Sequence, residues 1–532
     1  MPHFLQNVLD ALHKYSARPL IKVCFKGGEG QPIWRVVNYG EFRSDIERVA
    51  IYWLEHLGLF DVQPLDVVGI WITGEQYYDI VSIYGLSRAG FTPEILGRDL
   101  AMSEQAAVIF DILATTGAKT IIFDPSFKKE IDKLPLACFE MPELPDIPSS
   151  PEILPPLSDA DEGEVALVFH PRNGRPKPIL KTHRWLISQA KIEWPQLYQG
   201  GNKPAIVNSI DSFTNVKSAI AISYLACNGH CMIQPSQHDF DEEEFKALVG
   251  EGMNVVFLHA SMLSKLISIG KANKQVYEAF KTLTQVIYTG ASLNVEDEQW
   301  LIKNEMLATF VDTTEKSGSS VPCLTSLITE THVLPSMRPL KGLGCSLLPI
   351  GFLDNQSERH ANRRQLFDLF VPADAANCPH PSACNRLDEH ITGDVFEETE
   401  PGGSNDDWIR TGKHEAFCNA RQIENNVLQE AADLVNNCII VGHHEPGIVL
   451  LVEPAVPNPA DENKLKSLIL HRHAEFNDSL HVHEKIKSVL QIILVPQGTL
   501  PKTMEKGSSR REAAKAQHWE ALQEVYTQFK TW

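Results

Sequence analysis

The chain has 532 residues, too many for one hydrophobic core and enough for roughly two to four domains. Hydrophobic residues make up 43% and charged residues 22%, an ordinary balance for a globular protein. A net charge of −20 argues against general affinity for nucleic acid, which needs clustered Lys and Arg, but leaves room for a nucleotide in a locally basic pocket. No stretch approaches the roughly 18 to 20 uncharged apolar residues of a membrane span. The N-terminal MPHFLQNVLDALHKYSARPL has no apolar signal core, and the final KTW matches no targeting tripeptide. Ten cysteines spread over this length read as reduced thiols and not as a disulfide framework, so the expected compartment is cytoplasmic.

Residues 39–60 carry a helical apolar period through Phe42, Ile46, Val49, Ala50 and Leu54, with Gly58 as a stop. LDVVGIWI (65–72) follows as a buried strand, YDIVSIYGLSRAG as a helix ending at Gly90, then SEQAAVIFDILATTG as helix and TIIFD as strand. Strands apolar on both faces, alternating with helices, predict a layered α/β domain with much parallel sheet. The proline-rich, acidic stretch 142–163 reads as an extended surface connector. The α/β pattern resumes with EVALVF, AIVNSI, HCMIQP, VVFLHA, TQVIYTG and LATFVD, and a Pro/Asn/His-rich stretch covers 371–388. After Asp406 come a helix (IENNVLQEAADLV), two strands (NCIIVGHH, GIVLLVEP), a helix (KLKSLILHRHAEF) and a strand (VLQIILVP). The expected domains are therefore 1–405 and a small α+β part, 406–532.

Cys227 and Cys231 flank Asn-Gly-His, which fits either half a zinc site or a turn at Asn228-Gly229 between helix and strand. The turn is favoured because no second ligand pair sits at a suitable spacing. Cys378 and Cys384, with His380 and His390, lie in a Pro- and Asn-rich loop and are read in the same way.

The loop HPRNGRPKPILKTH (170–183) lies between the strand EVALVF and the helical WLISQA, a position where phosphate is often held. It has one glycine, Gly174, and no hydroxyl before Thr182. Further along, Gly290-Ala291-Ser292 ends a strand, and Thr313-Thr314-Glu315 ends another. HITGDVFEE (390–398), DDWI (406–409) and LPKTMEKGSSRREA (500–513) complete the series. In this order the segments resemble the adenylate-forming (ANL) superfamily: acyl-CoA synthetases, luciferases and the adenylation domains of peptide synthetases and carboxylate reductases. The variants here look most like the fungal reductase-type and NRPS-like branch of secondary metabolism, and the resemblance covers nearly the whole chain.

That resemblance implies an α/β fold, with a large layered N-terminal domain of ANL type and a small mobile α+β C-terminal domain. It implies a ligase that joins a carboxylic acid to ATP, giving an acyl-adenylate and pyrophosphate, and then passes the acyl group to a thiol. The implied cofactors are ATP and Mg²⁺, with CoA or a separate carrier protein as acceptor. Cations and N–H donors are needed where charge builds on the phosphates. Residue by residue, Gly174, Lys177 and Thr182 match the phosphate loop, and Gly290 and Ala291 the adenine contact. Thr314 matches the phosphate-binding threonine, Glu315 the acid that supports Mg²⁺, and Asp394 the acid that accepts from the ribose hydroxyls. Asp394 is preferred over the rival Arg410-Thr411-Gly412-Lys413 because it precedes DDWI. Asp406 and Asp407 match the hinge region, and Lys506 the catalytic lysine carried in by the small domain. Lys502, Arg510 and Arg511 beside it also fit a solvated basic tail.

Four departures stand out: the shortened loop, with Pro171 lacking an N–H; Val311 and Asp312 in place of Tyr-Gly; and Ser404 in place of arginine. They motivate a second hypothesis, a catalytically impaired relative acting as a binding or scaffold protein. By order, the acid pocket is expected from residues 208–216, VVFLHASML and the strand before Thr289. Asp211 fits either an amine contact or, by preference, a helix cap. His259 is read as a packed histidine. The sequence ends soon after the Lys506 motif, so the thiol acceptor is expected to be a separate molecule.

Overall fold

A computed structural model describes residues 3–26, 31–98, 106–131, 134–148, 153–161, 163–170, 178–198, 200, 203–209, 212–237, 240–289, 293, 295–306, 310–313, 324–326, 337–352, 365–384, 389–400, 403–406, 408–411, 416–442, 445, 447–480, 484–500 and 511–529. These residues form two compact units, the first built mainly from residues 1–334 with 339–345 and 371–390, the second from 335–338, 346–370 and 391–532.

In the first unit, helix α1 (Phe4–Lys14) leads into strands β1 (Pro19–Lys26) and β2 (Pro32–Asn38), then helix α2 (Tyr39–Gly58). Next come β3 (Val67–Trp71), α3 (Tyr77–Arg88), β4 (Thr92–Leu96), α4 (Ala106–Thr116), β5 (Thr120–Phe123), α5 (Lys128–Ile131) and β6 (Ala137–Glu140). After the connector lie β7 (Val165–Phe169), β8 (Ile179–Thr182), α6 (His183–Ser188) and α7 (Trp194–Leu197), with a wide π turn, Gln189–Glu193, between the two helices. Then follow β9 (Ile206–Asn208), α8 (Val216–Cys227), β10 (Cys231–Ile233), α9 (Glu242–Gly250), β11 (Val255–His259), α10 (Ala260–Ala272), α11 (Lys274–Thr282), β12 (Gln285–Thr289), α12 (Val295–Lys303), β13 (Phe310–Thr313) and β14 (Leu324–Ser326).

Two sheets result. One has the order β6-β5-β3-β4-β7-β8, parallel except for the last pair. The other runs β14-β13-β12-β11-β9-β10-β1-β2 within this unit, parallel except at its two ends. Parallel strands with helical crossovers must be covered on both faces, and the side-chain alternation shows how. Val68 and Ile70 of β3, Val255 and Phe257 of β11 and Ile287 of β12 all enter one core with α1, α2, α3 and α8. Val256, Leu258, Val286 and Tyr288 enter a second core with α9, α10 and α11. Trp71, Ile121 and Phe123 enter a third with α4 and α5. The helices of the first core therefore lie between the two sheets. At Gly85 a Cβ would stand 2.6 Å from Val49 Cγ1, so α2 and α3 meet closely there.

The predicted elements from 39 to 123 all form. The stretch around Asn228-Gly229 is a turn, with Gly229 at φ +72°, between α8 and β10, and no cluster of three metal-binding side chains exists among the described residues. The cysteines among the described residues are free thiols, Cys378 and Cys384 included. The connector is the expected extended surface chain, most of its described residues being exposed or half-buried, but it is anchored. Apart from one 3₁₀ turn, Leu144–Asp146, its described residues lack regular structure, yet Ile147 and Ala160 are buried and Arg88 donates to the Pro155 carbonyl at 2.9 Å. It is a strap laid on the first core.

In the second unit β15 (Met337–Pro339), β16 (Ser346–Phe352), β17 (Gln365–Pro372), β18 (Glu389–Glu400) and β19 (Gly403–Asp406) hydrogen-bond in the order β16-β17-β18-β19-β15. A hairpin, β20 (Trp408–Thr411) and β21 (Ala416–Asn419), leads to α13 (Ala420–Glu430), β22 (Val435–Val441), β23 (Val449–Pro454), α14 (Glu462–Arg472), α15 (Ala474–Ser479), β24 (Ile492–Leu494), α16 (Arg511–Gln517) and α17 (Trp519–Phe529). Cys438 and Ile440 of β22 face a core with α13 and α14, while Ile439 and Val441 face Ala514, Leu522 and Tyr526 of α16 and α17. No helix among the described residues is long and apolar enough to cross a membrane.

Candidate functional site

Three parallel strands of the first unit end in step. His259 of β11 is in register with Thr289 of β12, and Thr289 with Thr313 of β13. Ligands of open parallel sheets bind beyond such carboxyl ends, where loops leave the sheet. The segments leaving here are Ala260 at the start of α10, Gly290-Ala291, and Thr314-Glu315. The last four residues lie outside the described set, so what the structure establishes is that both segments depart from one edge. Val311 and Asp312 are strand residues of β13. His259 is buried, as expected of a packed histidine, and Thr289 is fully buried with no hydrogen-bond partner for its Oγ1 among the described residues.

Asn208 closes the neighbouring strand end. Its Nδ2 donates to the Phe257 carbonyl at 2.8 Å, and its Oδ1 accepts from the Phe257 N–H at 2.7 Å. A side chain thus continues the ladder where β9 stops. The stretches expected to build the acid pocket therefore meet on adjacent strands. Asp211 lies outside the described residues, and the helix it was expected to cap begins later: α8 starts at Val216, with Asn215 accepting from the Lys217 N–H. That expectation is corrected.

The phosphate-loop segment is described only at its two ends; Gly174 and Lys177 lie outside. At its start, His170 Nε2 is 2.8 Å from Glu94 Oε1, both side chains being almost wholly buried. Thr116 donates to the other Glu94 oxygen. The His170 Nδ1 is buried without a partner among the described residues. At its far end, Thr182 caps α6, its Oγ1 accepting from the Trp185 N–H at 3.2 Å. Its acceptor capacity serves the helix, and the hydroxyl proton is left to donate. His183 Nδ1 accepts from the Phe4 N–H at 3.2 Å, and burial lowers its pKa to about 4, so the ring is neutral.

Beside Thr182, Lys181 is buried with its Nζ 3.8 Å from the Trp185 ring centre. Burial pulls its pKa down to about 7, with Glu193 acting the other way. Glu193, in the π turn, is pushed up to about 8 by burial, against Lys217, Gln189 and Lys181. Sequence reasoning passed over Glu94, Lys181 and Glu193. The signal was available: a charge inside an apolar strand (TPEIL, ILKT) or just before Trp-Pro.

In the second unit, Asp394 belongs to β18, and two residues on Phe396 pairs with Asp406 of β19. The T-G-D segment and the acid expected at the hinge thus occupy adjacent strands. Asp407 and Lys506 lie outside the described residues, but the segment 501–510 is held at both ends. The Leu500 N–H donates to buried Glu453 at 2.7 Å. Arg511 forms a two-pronged ion pair with Glu424 and donates to the Ile440 carbonyl. Arg511 is an anchor and not part of a solvated tail.

Residues 406–530 match the family model described as the AMP-binding enzyme C-terminal domain. The chain is 26% identical over 502 residues to the AMP-binding domain-containing enzyme iboA of Amanita muscaria (strain Koide BX008), covering 90% of this chain and 94% of that one. Among solved structures, ATP-bound MatB from Rhodopseudomonas palustris is similar at a TM-score of 0.70 and 15% identity, over 96% of this chain and 98% of that one. The A domain of a carboxylic acid reductase from Segniliparus rugosus, in complex with AMP and a co-purified carboxylic acid, gives 0.68 and 13%, over 99% and 94%. The o-succinylbenzoate CoA synthetase MenE of Bacillus subtilis, with its acyl-adenylate intermediate, gives 0.68 and 13%, over 97% and 98%. Residues 406–530 thus match the C-terminal domain of AMP-binding enzymes, and the chain shares the fold of these adenylate-forming enzymes over nearly its whole length.

Proposed function

We propose that the protein is a cytoplasmic ligase that activates a carboxylic acid with ATP and hands the acyl group to an external thiol, either CoA or a separate carrier protein. The observation that carries this reading is the common edge at which β11, β12 and β13 end, since the segments holding Gly290, Ala291, Thr314 and Glu315 leave from it together. Attack of the acid's carboxylate on the α-phosphorus forms the acyl–phosphate bond and expels pyrophosphate. Lys177 and the Thr182 hydroxyl meet the phosphates, Gly290 and Ala291 lie against adenine, and Asp394 accepts from the ribose. Thr314 serves phosphate and Glu315 the Mg²⁺. A nucleotide-borne Mg²⁺ takes few protein ligands, and one carboxylate meets that need; when bound, the ion neutralises charge on the phosphates. Lys506 adds positive charge where the adenylate forms. Asp406 is the pivot between the two half-reactions. The resemblance to fungal NRPS-like enzymes favours a role in secondary metabolism.

The test is ATP–pyrophosphate exchange across a panel of carboxylic acids, with Lys506→Ala alongside. Acid-dependent exchange, reduced about 100-fold or more in the variant, is the expected result. Exchange undiminished in the variant removes the lysine from the mechanism. Val311, Asp312 and the shortened loop favour the second reading, a relative that binds nucleotide without turnover. Binding of ATP or AMP with no exchange for any acid selects it.

A further inference from the structure

After β17 the chain folds into a loop, residues 373–384, that carries two cysteines six positions apart. The loop is tied at three points within the first unit. Asn377 is fully buried, and its Oδ1 accepts from the Gly344 N–H at 2.9 Å. Arg184, in the first turn of α6, donates to the Ala373 carbonyl at 2.8 Å. A 3₁₀ turn, Pro381–Ala383, is capped by His380 and packs against β8, the strand that ends in Thr182.

The two thiols meet across that turn. Cys378 Sγ lies 4.0 Å from Cys384 Sγ, and the Cys384 thiol also points to the Pro379 carbonyl at 3.7 Å. A disulfide holds its sulfurs about 2 Å apart, so the pair stands roughly 2 Å short of a bond. Closing that gap falls to Cys384, which is half-buried and follows the exposed Pro381 and Ser382. Cys378 is only 3% exposed, and Asn377 beside it is fixed. Exposure also divides the roles. A small oxidant reaches Cys384 first, while burial and the neighbouring Cys384 push the Cys378 thiol up to about 12, so that it waits protonated.

We propose that Cys378 and Cys384 close to a reversible disulfide under hydroperoxide, and that this bond weakens nucleotide binding through β8. The second half rests on the ligase reading above, in which Thr182 meets the phosphates. The Cys384 sulfur attacks one peroxide oxygen: a sulfur–oxygen bond forms, the oxygen–oxygen bond breaks, and the leaving oxygen takes the thiol's proton and departs as water. The Cys378 sulfur then displaces hydroxide from the sulfenic acid, forming the disulfide, and the hydroxide leaves with the Cys378 proton as a second water. Two electrons pass from the two thiols to the peroxide, and a dithiol reductant returns them. In a reducing compartment the resting state is the pair of thiols, the state present in this structure. Forming the bond drags the 3₁₀ turn across β8, and a local redox change is thereby felt at Thr182.

The experiment treats the full chain with hydrogen peroxide or with a dithiol reductant, beside Cys384→Ser and Cys378→Ser. Unreduced peptide mass spectrometry reads the bond, calorimetry reads the Kd for ATP, and pyrophosphate exchange is followed on the same samples. The expected result is a cross-link between 378 and 384, two hydrogens lighter than the free thiols and reversed by the reductant. The ATP Kd of the oxidised wild type should rise about five-fold or more, whereas peroxide-treated Cys384→Ser stays within about two-fold of its reduced value. No cross-link, or Cys384 carried on to sulfinic acid instead, overturns the proposal. So does a cross-link that leaves the Kd unchanged, or a rise of equal size in Cys384→Ser, which would come from other thiols. Cross-link and weakened ATP binding without exchange for any acid uphold the switch and refute the ligase reading. Exchange alongside an unaltered Kd does the reverse.

Discussion

Replacing Glu193 by glutamine keeps the shape of a protonated carboxyl and removes its titration. In the unfolded chain this group ionises near its ordinary 4.5, whereas burial holds it protonated to about 8 in the fold. Between those values the folded state binds the extra proton, so the carboxyl makes the wild type progressively less stable as pH rises. At ~1.4 kcal/mol per pH unit the interval sets an upper bound of about 5 kcal/mol. The bound is not reached, because Glu193 and Lys181 pull on each other's titration and removing one resets the other. The advantage of Glu193→Gln over wild type is therefore expected to be small at pH 5, to grow by at least ~1 kcal/mol up to pH 8, and to level off above. Lys181 contributes with the opposite slope, its lowered pKa adding stability from about 7 upward. The assay is guanidinium unfolding followed by tryptophan fluorescence at pH 5, 6, 7, 8 and 9, since Trp185 and Trp194 line the same small cavity as Glu193. An advantage equal at pH 5 and pH 8 would refute the burial argument.

Asn208→Ala leaves the Phe257 N–H and carbonyl without the bonds they now make, and is expected to lower the unfolding free energy by about 2–3 kcal/mol, read from chemical denaturation. Glu94→Ala strips His170 of its partner at the mouth of the phosphate loop. It should cost about 1–3 kcal/mol and raise the KM for ATP in pyrophosphate exchange, whereas Glu94→Gln keeps an acceptor and should lose less on both counts. Gly85→Ala pushes a methyl against Val49 between α2 and α3, and a loss of about 1–3 kcal/mol is expected from thermal melting.

The layered fold was legible because both of its periods are strong. Strands such as VVFLH and QVIYT are apolar on both faces, and α2 repeats its core positions at helical spacing through Phe42, Ile46 and Val49. What stayed hidden depends on partners distant in sequence. Nothing near Glu94 announces His170, 76 positions on, and a charge in a strand of apolar residues gives no hint of how it is satisfied. The strap at 142–161 is extended and mostly exposed, as its proline content implied, but composition did not report the anchors at Ile147, Ala160 and Arg88. The α8 cap fell to Asn215 because the helix begins four residues later than its apolar pattern allowed. Of the site residues the resemblance named, the structure describes the side chain of Thr182 and the strand of Asp394, and it gives the edge from which the segments of Gly290, Ala291, Thr314 and Glu315 depart.

The helices shared by both sheets of the first unit set the scale on which that unit can vary. Val68 of β3 and Val255 of β11 are neighbours of the same helical filling, so neither sheet owns a hydrophobic interior that would survive a cut between them. Drift in one sheet has to be answered in the other, through α2, α3 and α8, so that a change beside Phe257 is made under the constraint of strands some two hundred positions earlier. Such a body changes as a whole or not at all, and small, mutually adjusted substitutions spread over it are the form that divergence at low identity has to take.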